Sequence, residues 1–230
     1  MVAFLHDLLD ELLDLVLPRR CAGCGLAATA WCPACLGAAE PFLVPGVGLP
    51  VFAALAYEGP AREALIHYKE RGRRDLAAPL GALLAAAVGA AVRPGPGRIV
   101  LVPVPSSRVA AAVRGGDHLA RLSARAGSRA GLHRARGALT LQRAVRDSAG
   151  LGVSARAENL AGAMRAAPPR PGRAAVLVDD IVTTGATLRE GRRALLAAGW
   201  PVVGAAVVAA TPRRVGGPIG SAHLTGLAWA

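Results

Sequence analysis

The chain has 230 residues, 53% of them hydrophobic but only 3% aromatic, which is room for one ordinary domain and a small appendage, with a core of Leu, Val and Ala. Its formal charge of +12 comes from 26 Arg and a single lysine, Lys69, and residues 101–170 alone carry +9, with 12 Arg against Asp117, Asp147 and Glu158. Such a stretch can face a pyrophosphate, a nucleic acid or only water, and its lack of Phe, Trp and Tyr argues against stacking on single-stranded bases.

Residues 2–17 place Phe4, Leu5, Leu8, Leu9, Leu12 and Leu13 opposite Asp7, Glu11 and Asp14. The spacing predicts an amphipathic helix that packs on its own protein or a partner, since its acidic face does not suit an anionic membrane. The same acids break the apolar run and no basic segment precedes it, so no signal peptide is expected. The longest other apolar segment, Gly81–Val92, has 12 residues, short of the ~20 that span a bilayer. A soluble, cytoplasmic protein without membrane insertion is the expectation.

After Pro18 come all four cysteines, as Cys21-x2-Cys24 and Cys32-x2-Cys35. Two such knuckles can present four thiolates to one tetrahedral metal, and zinc is favoured because four soft ligands close its coordination shell. The site would be structural. Disulfides are the alternative reading, disfavoured in a chain with no export signal. Pro41–Pro50, rich in Pro and Gly, reads as a linker, dividing a cysteine region over 1–45 from a larger domain over 46–230.

Val51–Tyr57 then reads as a strand, Pro60–Arg71 and Asp75–Val92 as helices, and Arg98–Val102 as a second strand. That strand leaves the sheet through Pro103, Pro105, Ser106 and Ser107, before a helix starting near Arg108. His118 is the imidazole nearest this loop in sequence, and a lone histidine is more often structural than catalytic. Residues 127–158 are rich in Gly, Ser and Arg and weak in periodicity, which predicts an open loop.

Ala174–Leu188, AAVLVDDIVTTGATL, organises the rest. Apolar Ala174–Val178 reads as a strand that runs into Asp179 and Asp180, which begin a ligand loop, and a small-residue turn then opens a helix over Gly185–Ala198. The first turn of a helix has unpaired N–H groups and partial positive charge, so it receives phosphate. Thr183, Thr184, Gly185, Ala186 and Thr187 fit that role, with Asp179 and Asp180 beside them to hold sugar hydroxyls or a divalent cation. Pro201–Ala209 supplies a further strand, and Ser221–Trp229 an edge strand. The elements predict an α/β fold of Rossmann type, with a parallel sheet and its site at the carboxyl ends of the strands.

VLVDDIVTTGAT resembles the fingerprint of type I phosphoribosyltransferases. With the four-cysteine region it gives the whole chain a resemblance to the ComF family, amidophosphoribosyltransferase-like proteins associated with competence and DNA uptake. The resemblance implies that Asp179 and Asp180 grip the ribose hydroxyls of phosphoribosyl pyrophosphate, with magnesium, and that Thr183–Thr187 binds the 5-phosphate. It implies a pyrophosphate loop at Pro103, Pro105, Ser106, Ser107 and Arg108. YEGPAREALIHYKERG adds Tyr57, Arg62 and Lys69 as residues lining the site. LQRAVRDSAGLGVSARAENLAGAM adds Gln142, Arg146, Arg156 and Asn159, in a hood over 127–158 that closes on substrate. The family's Arg-Gly-aromatic-Asn segment is here Arg114, Gly115, Gly116 and Asp117, so the last two positions depart from it. Two function classes follow: pentosyl transfer to an acceptor that no motif identifies, or a non-catalytic protein that senses phosphoribosyl pyrophosphate or a nucleotide, or assists uptake of single-stranded DNA. A homo-oligomer is compatible with either.

Overall fold

The computed structural model describes residues 19–92, 97–106, 116–143 and 158–212. The helix expected over 2–17, Ser107, Arg108, Arg114, Gly115, Arg146, Arg156 and the edge strand expected at Ser221–Trp229 lie outside the described residues. In chain order the elements are α1 (Pro33–Leu36), β1 (Phe42–Leu43), β2 (Val51–Ala56), α2 (Gly59–Glu70), a 3-10 turn (Arg74–Leu76), α3 (Ala77–Ala91) and β3 (Arg98–Pro103). There follow α4 (His118–Ala130), β4 (His133–Arg134), β5 (Leu139–Leu141), β6 (Met164–Ala166), β7 (Arg173–Val182), α5 (Ala186–Ala197) and β8 (Val202–Ala210).

Six strands form one sheet in the order β1-β2-β8-β7-β3-β4, parallel throughout except for β1. The fold is therefore the predicted α/β class. Strands β7 and β8 read as continuous apolar runs because both faces of the sheet are covered. Helices α2, α3 and α4 cover one face, where Leu65, Leu80, Leu84 and Leu122 meet Val176 and Val178. Helix α5 and the β5–β6 hairpin cover the other, with Leu139, Met164, Leu188 and Leu195 on Leu177. Each fully buried Leu or Val contributes about 1.5–3 kcal/mol of transfer free energy.

This topology locates a binding crevice without reference to any ligand. Neighbours β3 and β7 pair through Pro103 and Val178, yet the chain leaves β3 towards β4 and leaves β7 towards β8. Helices that depart in opposite directions from adjacent parallel strands open a gap at the carboxyl ends, where ligands of such sheets bind.

Four segments differ from the sequence reading. Strand β7 runs on to Val182, so both aspartates lie in the strand rather than in the loop after it. Part of Pro41–Pro50 is strand β1, Val44 N–H donates to Val51 O at 2.8 Å, and Val47 is 1% exposed; apolar side chains within a Pro-rich stretch found a core to enter. Residues 127–143 are largely built into the fold: α4 continues to Ala130, β4 joins the main sheet and β5 pairs with β6. Lastly, Arg74–Ala91 forms 18 residues of turn and helix, long and apolar enough to cross a membrane by length and composition. Here Leu80, Leu83, Leu84, Ala87 and Val88 are buried in the protein, so its hydropathy is that of a core helix.

The cysteine region shares this core. Cys21, Ala22, Trp31 and Cys32 belong to the same buried cluster as Leu65 and Leu76, and Arg73 donates twice to Arg20 O at 3.0 Å.

Candidate functional site

Successive residues of a strand point to opposite faces of the sheet, and β7 obeys this, with Leu177 on the α5 side and Val178 on the α2–α4 side. Asp179 consequently shares the α5 side. It lines a cleft with Thr183, Thr184, Gly185, Ala186, Thr187 and Leu160. Gly185 is the N-cap of α5 at φ 76 and brings no capping side chain, while Ala186 N–H donates to Thr184 Oγ1 at 3.3 Å. Beyond that one N–H, the first turn carries no cap from its N-cap residue and is available to an anion. Glycine is required twice over at Gly185: the left-handed backbone favours it, and an added Cβ would lie 2.6 Å from Cγ1 of Val47.

Asp180 points the other way into a different environment. It is 5% exposed. Its Oδ2 accepts from His118 Nε2 at 2.6 Å and from Lys69 Nζ at 3.0 Å, and its Oδ1 from Lys69 Nζ at 3.2 Å. Burial works against the charge of Asp180, but Lys69 and His118 outweigh it and hold the carboxyl well below the usual carboxylate range. For Asp179 the balance is reversed: burial and the adjacent Asp180 charge raise its carboxyl to about 8, with Lys69 opposing them. The two acids thus differ in kind, one ion-paired and held ionised, the other held toward its protonated form by burial and its neighbour.

This division decides how magnesium fits. Both oxygens of Asp180 are already engaged, so the pair does not chelate a metal as a unit. Asp179 can contribute one carboxylate, and magnesium commonly takes one or two carboxylates together with substrate phosphate oxygens. The residues fit an ion that arrives with a diphosphate.

The remaining candidates fall into place around the crevice or away from it. Val104 N–H donates to Val178 O at 3.0 Å, which holds Pro103, Pro105 and Ser106 level with Asp179 at the carboxyl edge. Arg62 is exposed and pairs with Glu63 at 2.8 Å, so it serves the surface of α2 rather than the cleft. Tyr57 donates its N–H to Ala210 O at 2.7 Å and packs on the core. Asp117 caps α4, accepting from Ala120 N–H at 2.9 Å. Gln142 donates to Gly162 O at 2.6 Å, and Arg143 to the carbonyls of Asn159 at 2.8 Å and Ala161 at 2.9 Å, so both close the base of the β5–β6 hairpin. His118, expected to be structural, stands in the site region as a direct partner of Asp180. The sequence signal for it was its place just beyond the loop that leaves β3.

Away from the crevice, the four cysteine sulfurs lie within 4.8 Å of one another. Cys24 Sγ and Cys32 Sγ are 3.7 Å apart, against roughly 3.8 Å for an edge of a tetrahedron with zinc–sulfur bonds of about 2.3 Å. Backbone N–H groups of Gly23 and Cys32 point at Cys21 Sγ at 3.4 and 3.3 Å, as a thiolate requires. Burial opposes that charge, but the N–H groups of Cys32, Cys24 and Gly23 prevail and bring Cys21 down to about 6. The donor set fits zinc. The knuckle also touches α2, since a Cβ on Gly23 would meet Cys35 Sγ at 2.8 Å and Pro60 Cβ at 2.9 Å.

Residues 118–220 match the phosphoribosyl transferase domain family. The matched segment begins at His118 and includes β7, the Thr183–Thr187 turn and α5, so this part of the chain is similar to phosphoribosyl transferase domains. Strands β1, β2 and β3 precede the matched segment and complete the same sheet. No curated protein matches the chain.

Proposed function

We propose that the cleft binds phosphoribosyl pyrophosphate and that the protein transfers the phosphoribosyl group to an acceptor. The observation that carries this reading is the meeting of Asp179 with the N-terminus of α5, whose N-cap Gly185 brings no capping side chain, in one cleft at the carboxyl end of β7. The 5-phosphate is received by N–H groups and hydroxyls of Thr183–Thr187, and Asp179 accepts from the ribose 2- and 3-hydroxyls. Pro103–Ser106 faces the pyrophosphate. Transfer breaks the bond from C1 to the pyrophosphate oxygen and forms one from C1 to the acceptor, through a transition state with positive charge on the sugar. Magnesium bound to the diphosphate supplies charge neutralisation for the leaving group. Asp179 is its candidate protein ligand. The four cysteines hold zinc as a structural staple for residues 1–45, and a cytoplasmic setting suits their free thiols.

A ComF-type role in sensing phosphoribosyl pyrophosphate or in DNA uptake is the second reading, supported by the charge of residues 101–170. Titration of phosphoribosyl pyrophosphate with magnesium into wild-type protein and Asp179→Ala tests the site; equal binding by both, or none by the wild type, refutes it. Pyrophosphate release across nucleobase and amine acceptors then distinguishes turnover from sensing. DNA binding that survives Asp179→Ala and weakens steeply with salt would favour the second reading.

A further inference from the structure

The His118–Asp180 contact has the form of an acid–base dyad, with a carboxylate fixing one ring nitrogen. Burial argues for a different use. His118 is 5% exposed, and its Nδ1 is fully buried with no hydrogen-bond partner among the described residues, so a substrate cannot reach the nitrogen that such a dyad would offer. Nε2 must carry the proton it shares with Asp180, because a carboxylate only accepts. The neutral ring then leaves a bare lone pair at Nδ1, whereas a charged ring would bury an unpaired N–H, the costlier arrangement. His118 is also clamped from its backbone side: Tyr68 Oη donates to His118 O at 2.9 Å, and the phenol ring stands edge-on to the imidazole at 6.2 Å. Tyr68 and Lys69 are consecutive on α2, so one turn of that helix grips both His118 and Asp180.

We infer that His118 is a positioning residue for the cleft: by donating Nε2–H to Asp180 it ties the start of α4 and the end of α2 to the last residues of β7, and so fixes Asp179 on the opposite face toward the ligand. Residues 116–118 are the far end of the connection that leaves β3 at Pro103, so the same bond anchors that end beside β7. The inference rests on the proposed reading of the cleft only for its effect on ligand.

Two measurements test it. The first is phosphoribosyl pyrophosphate affinity, with magnesium, in the full-length wild type, His118→Ala and His118→Gln, alongside melting temperature. A glutamine amide N–H can occupy the place of Nε2–H, whereas alanine leaves Asp180 short of a donor. His118→Ala should weaken binding by about tenfold or more, the usual cost of removing a partner from a buried charged group, and His118→Gln should restore it to within about threefold. Equal affinity in wild type and His118→Ala, or a folded glutamine variant as weak as alanine, overturns the inference. The second measurement needs no ligand: nitrogen-15 spectra of the imidazole in wild type and Asp180→Asn. A proton on Nε2 that shifts strongly in Asp180→Asn supports the bond, and a ring with a bare Nε2 overturns it. Should the wild type bind no phosphoribosyl pyrophosphate, the proposed function falls and the spectra decide the His118 bond alone.

Discussion

Asp179 and Asp180 are neighbours in sequence and work on opposite faces of β7, Asp179 in the cleft and Asp180 locked between Lys69 and His118. Their substitutions should therefore separate binding from stability. Asp179→Asn removes a carboxylate that burial and its neighbour hold in an unfavourable place, so the melting temperature should hold or rise while ligand affinity falls by at least about tenfold. Asp180→Asn leaves Lys69 without its anion and His118 Nε2–H without a charged acceptor. Breaking a buried pair costs about 3–5 kcal/mol, and the partial exposure of Lys69 puts this case near about 3 kcal/mol. Chemical denaturation and a ligand titration on each variant check both statements, and a matching loss of stability in the two would contradict the division.

The raised Asp179 carboxyl gives a pH dependence of definite sign. Going from 3.8 in the unfolded chain to about 8 when folded, Asp179 binds more protons in the native state between those values. Its contribution to stability is full below about pH 4 and is lost as pH rises toward 8. The depressed Asp180 contributes oppositely, holding its stabilisation above the ordinary carboxylate range and losing it in strong acid. Sugar hydroxyls and magnesium both prefer the ionised carboxylate, so affinity should climb across the window in which stability declines. Denaturation and titration from about pH 5 to 9, with Asp179→Asn as control, test this; a stability slope unchanged in the variant would count against it.

How much of this was legible follows from the physics of each segment. The apolar strand, Gly185 and the threonines of the turn are local signals, and the structure keeps them together as read. The orientation of the acids was hidden because it depends on where β7 stops: as part of a loop both could face a ligand, but as strand residues they cannot. The partner of His118, which the sequence placed near the loop and read as structural, was hidden for a related reason. An imidazole becomes meaningful only through its partner, and Asp180 is 62 residues away. Pro41–Pro50 misled because Pro and Gly dominate its composition, whereas its function in the fold rests on Val44 and Val47, two small apolar side chains with no periodic pattern around them.

Val47 supplies its own test, because it seats the phosphate turn. Gly185→Ala forces a left-handed backbone on a residue with Cβ, at a cost of about 1–2 kcal/mol, and drives that Cβ into Val47. Stability should fall by about 2–5 kcal/mol once overpacking is added, with ligand affinity lost as the turn shifts. Adding Val47→Ala relieves the clash but not the backbone strain, so the double variant should recover part of the affinity. Recovery of none would mean that Val47 does not set the position of the turn.

The cysteine site should matter to the cleft through α2. The knuckle packs its Gly23 turn against Pro60 in the first turn of that helix, Arg73 beyond the helix binds the carbonyl of Arg20, and Lys69 in the last turn pairs with Asp180. Trp31 is 6% exposed and sits in the cluster that the knuckle shares with Leu65. Freshly purified protein should carry about one zinc per chain, since four closed thiolates make a structural site. Chelation should then expose Trp31, seen as a red-shifted emission absent from Trp31→Phe, and weaken phosphoribosyl pyrophosphate binding as α2 loosens its hold on Asp180. Zinc content well below about half an equivalent would remove the staple. Full affinity after chelation, with Trp31 exposed, would show instead that α2 keeps its place on the strength of Leu65 and Tyr68 alone.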